Sequence, residues 1–233
     1  MRSITWTLRA LSHLLSYPDA HLRTYLNDLV AALRQEKAVS SARLLEIGAL
    51  AQWLQRERPM EVEGSYVETF DRGRGTSLHL FEHVHGDSRD RGPAMIDLIR
   101  TYEQAGMQVR HDELPDHLPI VLEFASTQPM EQARDFLREI THLLRVIFSA
   151  LQRRQSPYAC VIAAALELAG EKAQAVAVPD EPSLDESWSE PAAFDGCDLS
   201  GQRSPASART EQPVQLVRRA PPSGTSKSLG AHP

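Results

Sequence analysis

His79, Glu82 and His83 stand in the order H-x-x-E-H inside LHLFEHVHGDSRDRGPAM, positions 78–95. On a helix, His79 and His83 lie one turn apart. Their imidazoles could share a zinc ion, with Glu82 as general base for a bound water. A catalytic zinc also needs a third protein ligand and an open position. Glu167 lies downstream in a helical stretch, but nothing in its surroundings marks it as that ligand. The competing reading is an amphipathic helix that turns Leu78, Phe81 and Val84 inward and leaves its His and Glu partly exposed or hydrogen-bonded. Short patterns of this kind recur by chance, so the second reading is favoured and no metal is expected.

Other stretches carry weaker chemical signals. DRGRG (71–75) has glycine amides and arginines that suit a phosphate. It lacks the lysine of a phosphate loop and no strand precedes it, so a plain hinge between helices is expected. GDSRDRG (86–92) alternates acid and base, as a solvated loop does or as the polar rim of a groove does. ELPDHLP (113–119) has the same two readings, with Asp116 as a natural N-cap and His117 in the first turn behind it. No Ser/His/Asp or Cys/His set has a recognisable local context. The two cysteines, Cys160 and Cys197, have no C-x-x-C partner, and Cys160 reads as a small buried hydrophobe.

The elements that would position these residues are helical. Ile4, Leu8, Leu11 and Leu15 share one face of a first helix, which Pro18 ends. Asp19 caps a second, with Leu22, Leu26, Leu29 and Leu33 inward. Ser40 or Ser41 starts a third, with Leu44, Ile47, Ala51 and Leu54 inward. GSYVETFD pairs Tyr66 with Phe70 at i,i+4, and Ser77 can cap the helix that holds the opening stretch. Met95, Leu98, Ile99 and Tyr102 form the next stripe, closed by Gly106. Residues 130–154 keep helical spacing throughout, which predicts a helix about 35 Å long. Pro157 suits the first turn of a last helix that Gly170 ends. No segment alternates with strand spacing. The expected fold class is all-α: a single compact helical domain of about eight or nine helices over residues 1–170.

The chain has 233 residues, 42% of them hydrophobic, and a formal net charge of -6. The apolar fraction supports a packed core, and the acidic balance argues against a nucleic-acid partner. Arg9 and His13 interrupt the N-terminal apolar run, so it reads as an amphipathic helix rather than a secretory leader. No transmembrane span is expected, and a soluble cytoplasmic protein is. From residue 171 the composition turns to Pro, Ser, Gly and Ala, acidic first and then basic. That stretch, 171–233, is expected to be a disordered tail, with Trp188, Phe194 and VQLV (214–217) as islands that could dock. A chain cut near residue 172 is expected to keep its helical circular dichroism and a cooperative melt.

YVETFDRGRGTSLHLFEHVHGDSRDRGPAMIDLIRTYEQAGM (66–107) together with ELPDHLPIVLEF (113–124) resembles the NarJ family. These are assembly chaperones of respiratory nitrate reductase, within a wider TorD/DmsD-like group. The resemblance covers most of residues 1–170. The E-x-P-D-H of the loop is similar to a signature of the wider group, and LDESW and PVQLV of the tail are similar more weakly. The resemblance implies an all-helical TorD-like fold with no catalysis and no cofactor of its own. It implies binding of the apo catalytic (molybdenum) subunit of nitrate reductase, notably its N-terminal segment, in the cytoplasm. It further implies help with insertion of the molybdenum cofactor and an iron–sulfur cluster, delayed membrane docking, and absence from the finished enzyme. Molybdenum cofactor biosynthesis proteins are candidate further partners. A helix-in-groove seat needs apolar residues with a polar rim. Tyr66, Phe70, Leu78 and Phe81 are the expected groove. Glu82, His83, His85, Asp87, Arg91, Asp116 and His117 are the expected rim. Histidines there would make client affinity change between about pH 6 and 8.

Overall fold

The computed structural model describes residues 3–86 and 88–177. Eleven α-helices account for the regular structure among them: α1 (Thr5–Leu14), α2 (Ala20–Thr24), α3 (Leu26–Glu36), α4 (Ser41–Arg56), α5 (Pro59–Phe70), α6 (Leu80–His85), α7 (Arg91–Gln104), α8 (Leu118–Thr127), α9 (Met130–Glu139), α10 (Thr141–Arg153) and α11 (Ala159–Leu168). No strand occurs among the described residues, so the all-α expectation holds. No helix among them is long and apolar enough to cross a membrane. Asp87, Cys197, Trp188, Phe194 and VQLV lie outside the described residues.

The helices exceed the expected eight or nine because two long patterns are each cut in two. The pattern over 130–154 breaks at Ile140, and the pattern over 20–36 breaks at Tyr25. Both breaks use the same device. The Thr141 hydroxyl donates to the Arg138 carbonyl at 2.8 Å, and the Thr24 hydroxyl to the His21 carbonyl at 2.7 Å. The amides of Ile140 and Tyr25 shorten to i−3 partners, Leu137 and Leu22. Threonine hydroxyls that bond local carbonyls compete with the helix ladder and bend it.

Caps read from the sequence are present. The Asp19 carboxylate accepts from the Leu22 amide at 2.7 Å, and the Ser40 hydroxyl accepts from the Arg43 amide at 3.3 Å. Gly106 and Gly170 take φ of 82° and 84°, where the chain turns away from α7 and α11. One cap was not legible: the Glu36 carboxylate accepts from the Thr7 amide at 2.6 Å and so fastens α3 to the start of α1.

The core lies around α1, α8 and α11. Leu8, Leu11, Leu14 and Leu15 are fully buried, as are most side chains of α11, which is apolar but for Glu167. α1 packs on α3, α8 and α11, and α10 packs along α11. Each large side chain buried there contributes roughly 1.5–3 kcal/mol. Cys160 belongs to this core, and burial pushes its thiol up to about 12. A second, smaller cluster sits apart: Tyr102 of α7 with Ile120 and Phe124 of α8.

Contacts continue past the expected boundary at residue 170. Glu171 pairs with Arg145 at 2.5 Å, Ala173 packs on the core, and the Val176 amide donates to the Ser149 hydroxyl at 2.8 Å. Residues 171–177 therefore run along α10. A chain ending at Ala177 melts like the full chain, whereas one ending at Gly170 loses about 1–2 kcal/mol and still melts cooperatively. Thermal melts of the two truncations check this.

Candidate functional site

The two stretches singled out by their chemistry meet in space. The Leu80 amide donates to the Asp116 carbonyl at 3.1 Å, and the Leu118 amide to the Leu78 carbonyl at 2.9 Å. This isolated antiparallel bridge pairs His79 with His117. It also fixes where α6 begins. The bridge holds His79 extended, so the helix starts at Leu80 rather than behind Ser77. In an extended stretch alternate side chains share a face. Leu78 and Leu80 both turn inward, at 2% and 3% exposed, while Val84 is turned out and 44% exposed. The expected inward set of Leu78, Phe81 and Val84 is thus corrected to Leu78 and Leu80, with Phe81 half-buried.

Asp116 is the hub. Its side chain is fully buried. Oδ2 accepts from the Phe81 amide at 3.0 Å and lies 3.8 Å from the Arg91 guanidinium. Oδ1 lies 3.5 Å from His79 Nδ1, an ion-pair contact, and neither atom has a hydrogen-bond partner among the described residues. The expectation of Asp116 as the cap of α8 is corrected: His117 occupies that cap position, and Asp116 caps the first turn of α6 across the bridge. Arg91 also reaches Glu82 at 3.5 Å, and Glu82 accepts from the Ser77 hydroxyl at 2.5 Å. The Tyr102 hydroxyl donates to the Pro115 carbonyl at 2.8 Å. The amide bond to the buried carboxylate is charge-assisted, and with the Arg91 ion pairs and the Tyr102 bond it ties the 113–118 loop, α6 and α7 together.

The H-x-x-E-H residues do not converge. His83 Nε2 is 2.8 Å from the Ser77 carbonyl. A carbonyl only accepts, so that nitrogen carries its proton and has no lone pair for a metal. His79 turns to Asp116 and stacks on His117, ring centroids 4.9 Å apart. Glu167 is engaged elsewhere, accepting from the Ser40 amide at 3.0 Å and from Arg43 Nε at 3.1 Å.

The expected groove is corrected as well. Tyr66 and Phe70 are 5% and 4% exposed, ring centroids 4.8 Å apart, and both lie against Tyr158. The Tyr66 hydroxyl donates to the Leu15 carbonyl at 2.8 Å. With Leu78 they form core, not a surface. His85 meets the Phe81 ring edge to face at 5.6 Å. The DRGRG hinge is likewise a closed turn, with Thr76 fully buried and its hydroxyl donating to the Thr69 carbonyl.

The open side of the clasp is a groove of about 580 Å³ between the end of α1, the 112–117 loop and α8. His79 and His117 form one wall, facing His13, Tyr17, Leu114 and Glu123. The residues contributed by α1 and α8 were not among the expected site residues. Their signal was legible, because Trp6, Arg9 and His13 repeat on the polar face of α1.

The two stacked histidines are driven apart electrically. The Asp116 carboxylate beside Nδ1 raises the His79 pKa above its ordinary value, against the effect of burial. Burial, with repulsion from His79, lowers His117 to about 4. Folding therefore favours protonated His79. Its stabilisation is complete below the unfolded value near 6.5 and is lost as pH rises through the raised folded value. His117 acts oppositely. The unfolded chain binds its proton more readily, so stability falls as pH drops from about 6.5 towards 4. Proton NMR of the ring resonances is expected to show His79 titrating above its ordinary value and His117 near 4. A His117 midpoint near 6.5 contradicts the stacked, buried arrangement.

Residues 18–164 match the family model described as nitrate reductase delta subunit. The chain belongs to the nitrate reductase delta subunit (NarJ) family. Within it, the chain is 40% identical over 189 residues to the nitrate reductase molybdenum cofactor assembly chaperone NarJ of Escherichia coli (strain K12), covering 77% of this chain and 80% of that one. It is 35% identical over 170 residues to the protein assigned as the corresponding chaperone NarJ of Bacillus subtilis (strain 168), covering 70% of this chain and 90% of that one. The Escherichia coli relative is named as an assembly chaperone, the class the sequence resemblance implies, and not as a hydrolase. In fold the chain is similar to a crystal structure of a candidate redox enzyme maturation protein from Archaeoglobus fulgidus. The TM-score is 0.54 at 18% identity, over 73% of this chain and 96% of that one.

Proposed function

We propose that this family member is a system-specific assembly chaperone for respiratory nitrate reductase. It binds the apo catalytic subunit, notably its N-terminal segment, in the cytoplasm. By holding that segment it keeps the subunit open to the molybdenum cofactor and an iron–sulfur cluster, delays membrane docking, and leaves before the enzyme is complete. The observation that carries this reading is the buried Asp116 clasp. It presents His79, His117 and Leu114 along one open groove instead of assembling a nucleophile, a base or a ligand set. Phe81, Glu82, His83, His85 and Arg91 surround the clasp and complete the proposed client surface. Such a groove suits reversible capture of a peptide with an apolar face.

Co-purification from cells that express the apo catalytic subunit tests the proposal. The tagged chain retains the subunit and loses it when the subunit's N-terminal segment is deleted. Equal retention with and without the segment contradicts it.

A further inference from the structure

The groove beside the clasp does not end at His13. Two further depressions, of about 380 and 490 Å³, adjoin it along α1. The middle one shares Ser12, His13 and Glu123 with the clasp groove and shares Trp6 and Ala32 with the outer one. The floor throughout is the outward face of α1, where Trp6, Arg9 and His13 are exposed at i, i+3 and i+7. Tyr25 and, from α3, Leu29 and Ala32 form one wall, while Glu123 of α8 stands on the other. From Trp6 to the level of Tyr17 the trough is about 16 Å long at 1.5 Å per residue, the length of about three helical turns.

Its chemistry is specific. Trp6 is 59% exposed, whereas Trp53 is partly buried and packs on the core. Exposed aromatic anchors flanked by small residues mark binding surfaces. The three depressions are lined by five carboxylates, Asp28, Glu36, Asp112, Glu113 and Glu123, against one guanidinium, Arg9. Arg9 lies over the Trp6 ring, 5.8 Å from its centroid, and Glu36 is engaged by the α1 amides. Asp112 is paired with Arg110 at 2.9 Å. That leaves Asp28, Glu113 and Glu123 as an acidic rim, with Trp6, Leu29 and Leu114 as apolar anchors between them.

We infer that the client seat is this whole trough. Its occupant is an amphipathic helix of about three turns with an apolar face and Lys or Arg on its flanks. The inference rests on the client reading above and adds a second anchor at Trp6, far along α1 from the clasp. An apolar helix face meets Trp6, Leu29 and Ala32, while basic flanks meet the carboxylates.

The test is calorimetric titration of the full chain with a synthetic peptide spanning the N-terminal segment of the catalytic subunit. Trp6→Ala, Leu114→Ala and Ile96→Ala are compared; Ile96 is an exposed residue of α7 away from the trough. Trp6→Ala and Leu114→Ala each weaken binding about tenfold or more, and Ile96→Ala changes it less than about twofold. Raising the salt weakens the wild type, as an acidic rim requires. Loss with Leu114→Ala but not Trp6→Ala overturns the extended trough and leaves the client reading standing. No loss with either variant, while the wild type binds, places the seat elsewhere and overturns the trough. A wild type that does not bind the peptide at all overturns the client reading and the trough with it.

Discussion

Replacing Asp116 with alanine lowers the stability of the chain by about 3 kcal/mol, read as a fall of about 10 °C in melting temperature. The carboxylate is fully buried and answers three groups at once: the Phe81 amide, the Arg91 guanidinium and His79 Nδ1. Removing one partner of a buried charged set leaves the others uncompensated, at a cost of about 3–5 kcal/mol. The lower end applies because the side chains of Arg91 and His79 are 26% and 33% exposed and can recover some water. Asp116→Asn keeps an acceptor for the Phe81 amide and loses the charge, so it falls between. A second readout separates the clasp from generic destabilisation. In either variant His79 titrates closer to the ordinary histidine value, because its largest raising partner is gone. A wild-type His79 midpoint in Asp116→Ala contradicts the pairing.

Gly73→Ala is expected to cost about 2–3 kcal/mol, although an alanine at an ordinary backbone conformation is usually benign. Gly73 has φ −100°, so no left-handed strain is involved. The obstacle is space. A Cβ at Gly73 would fall 2.3 Å from Thr76 Oγ1 and 2.6 Å from Arg154 Nη1. Thr76 is fully buried and its hydroxyl is tied to the Thr69 and Gly73 carbonyls, so it has nowhere to move. Arg154 in turn donates to the Glu68 carbonyl near the end of α5 at 3.3 Å. The expected result is a lowered urea midpoint with an unchanged slope. Gly64→Ala in α5 is the comparison, since a Cβ there would meet nothing within 4 Å. An unchanged midpoint for Gly73→Ala shows that the turn is a loose hinge after all.

Much of the fold was legible because helix periodicity and caps are local. Leu8, Leu11 and Leu15, the Asp19 and Ser40 caps, and the Gly106 and Gly170 stops follow from spacing and backbone preference alone. The breaks at Tyr25 and Ile140 were not legible, because a threonine hydroxyl that competes for one carbonyl barely disturbs an apolar stripe. The site was half legible. Its two stretches, 78–91 and 113–117, stand out by charge density, and they do meet. Their inner logic depends on a contact 35 residues apart in sequence. The Asp116 carboxylate and the bridge at His79 reset the phase of α6, so Leu80 replaced Val84 in the core. Tyr66 and Phe70 were misplaced on the surface because aromatic pairs at i,i+4 look alike in a core and in a groove. The α1 side of the seat was overlooked because Arg9 and His13 were read as breaks in an apolar run rather than as a face.

Hydrogen exchange of the full chain, alone and with the apo catalytic subunit, tests the central claim most directly. The account predicts slower exchange on binding in 78–83 and 112–118, with little change in α4 and α11. Unchanged exchange in both of those stretches, with protection on α4 or α11 instead, contradicts it.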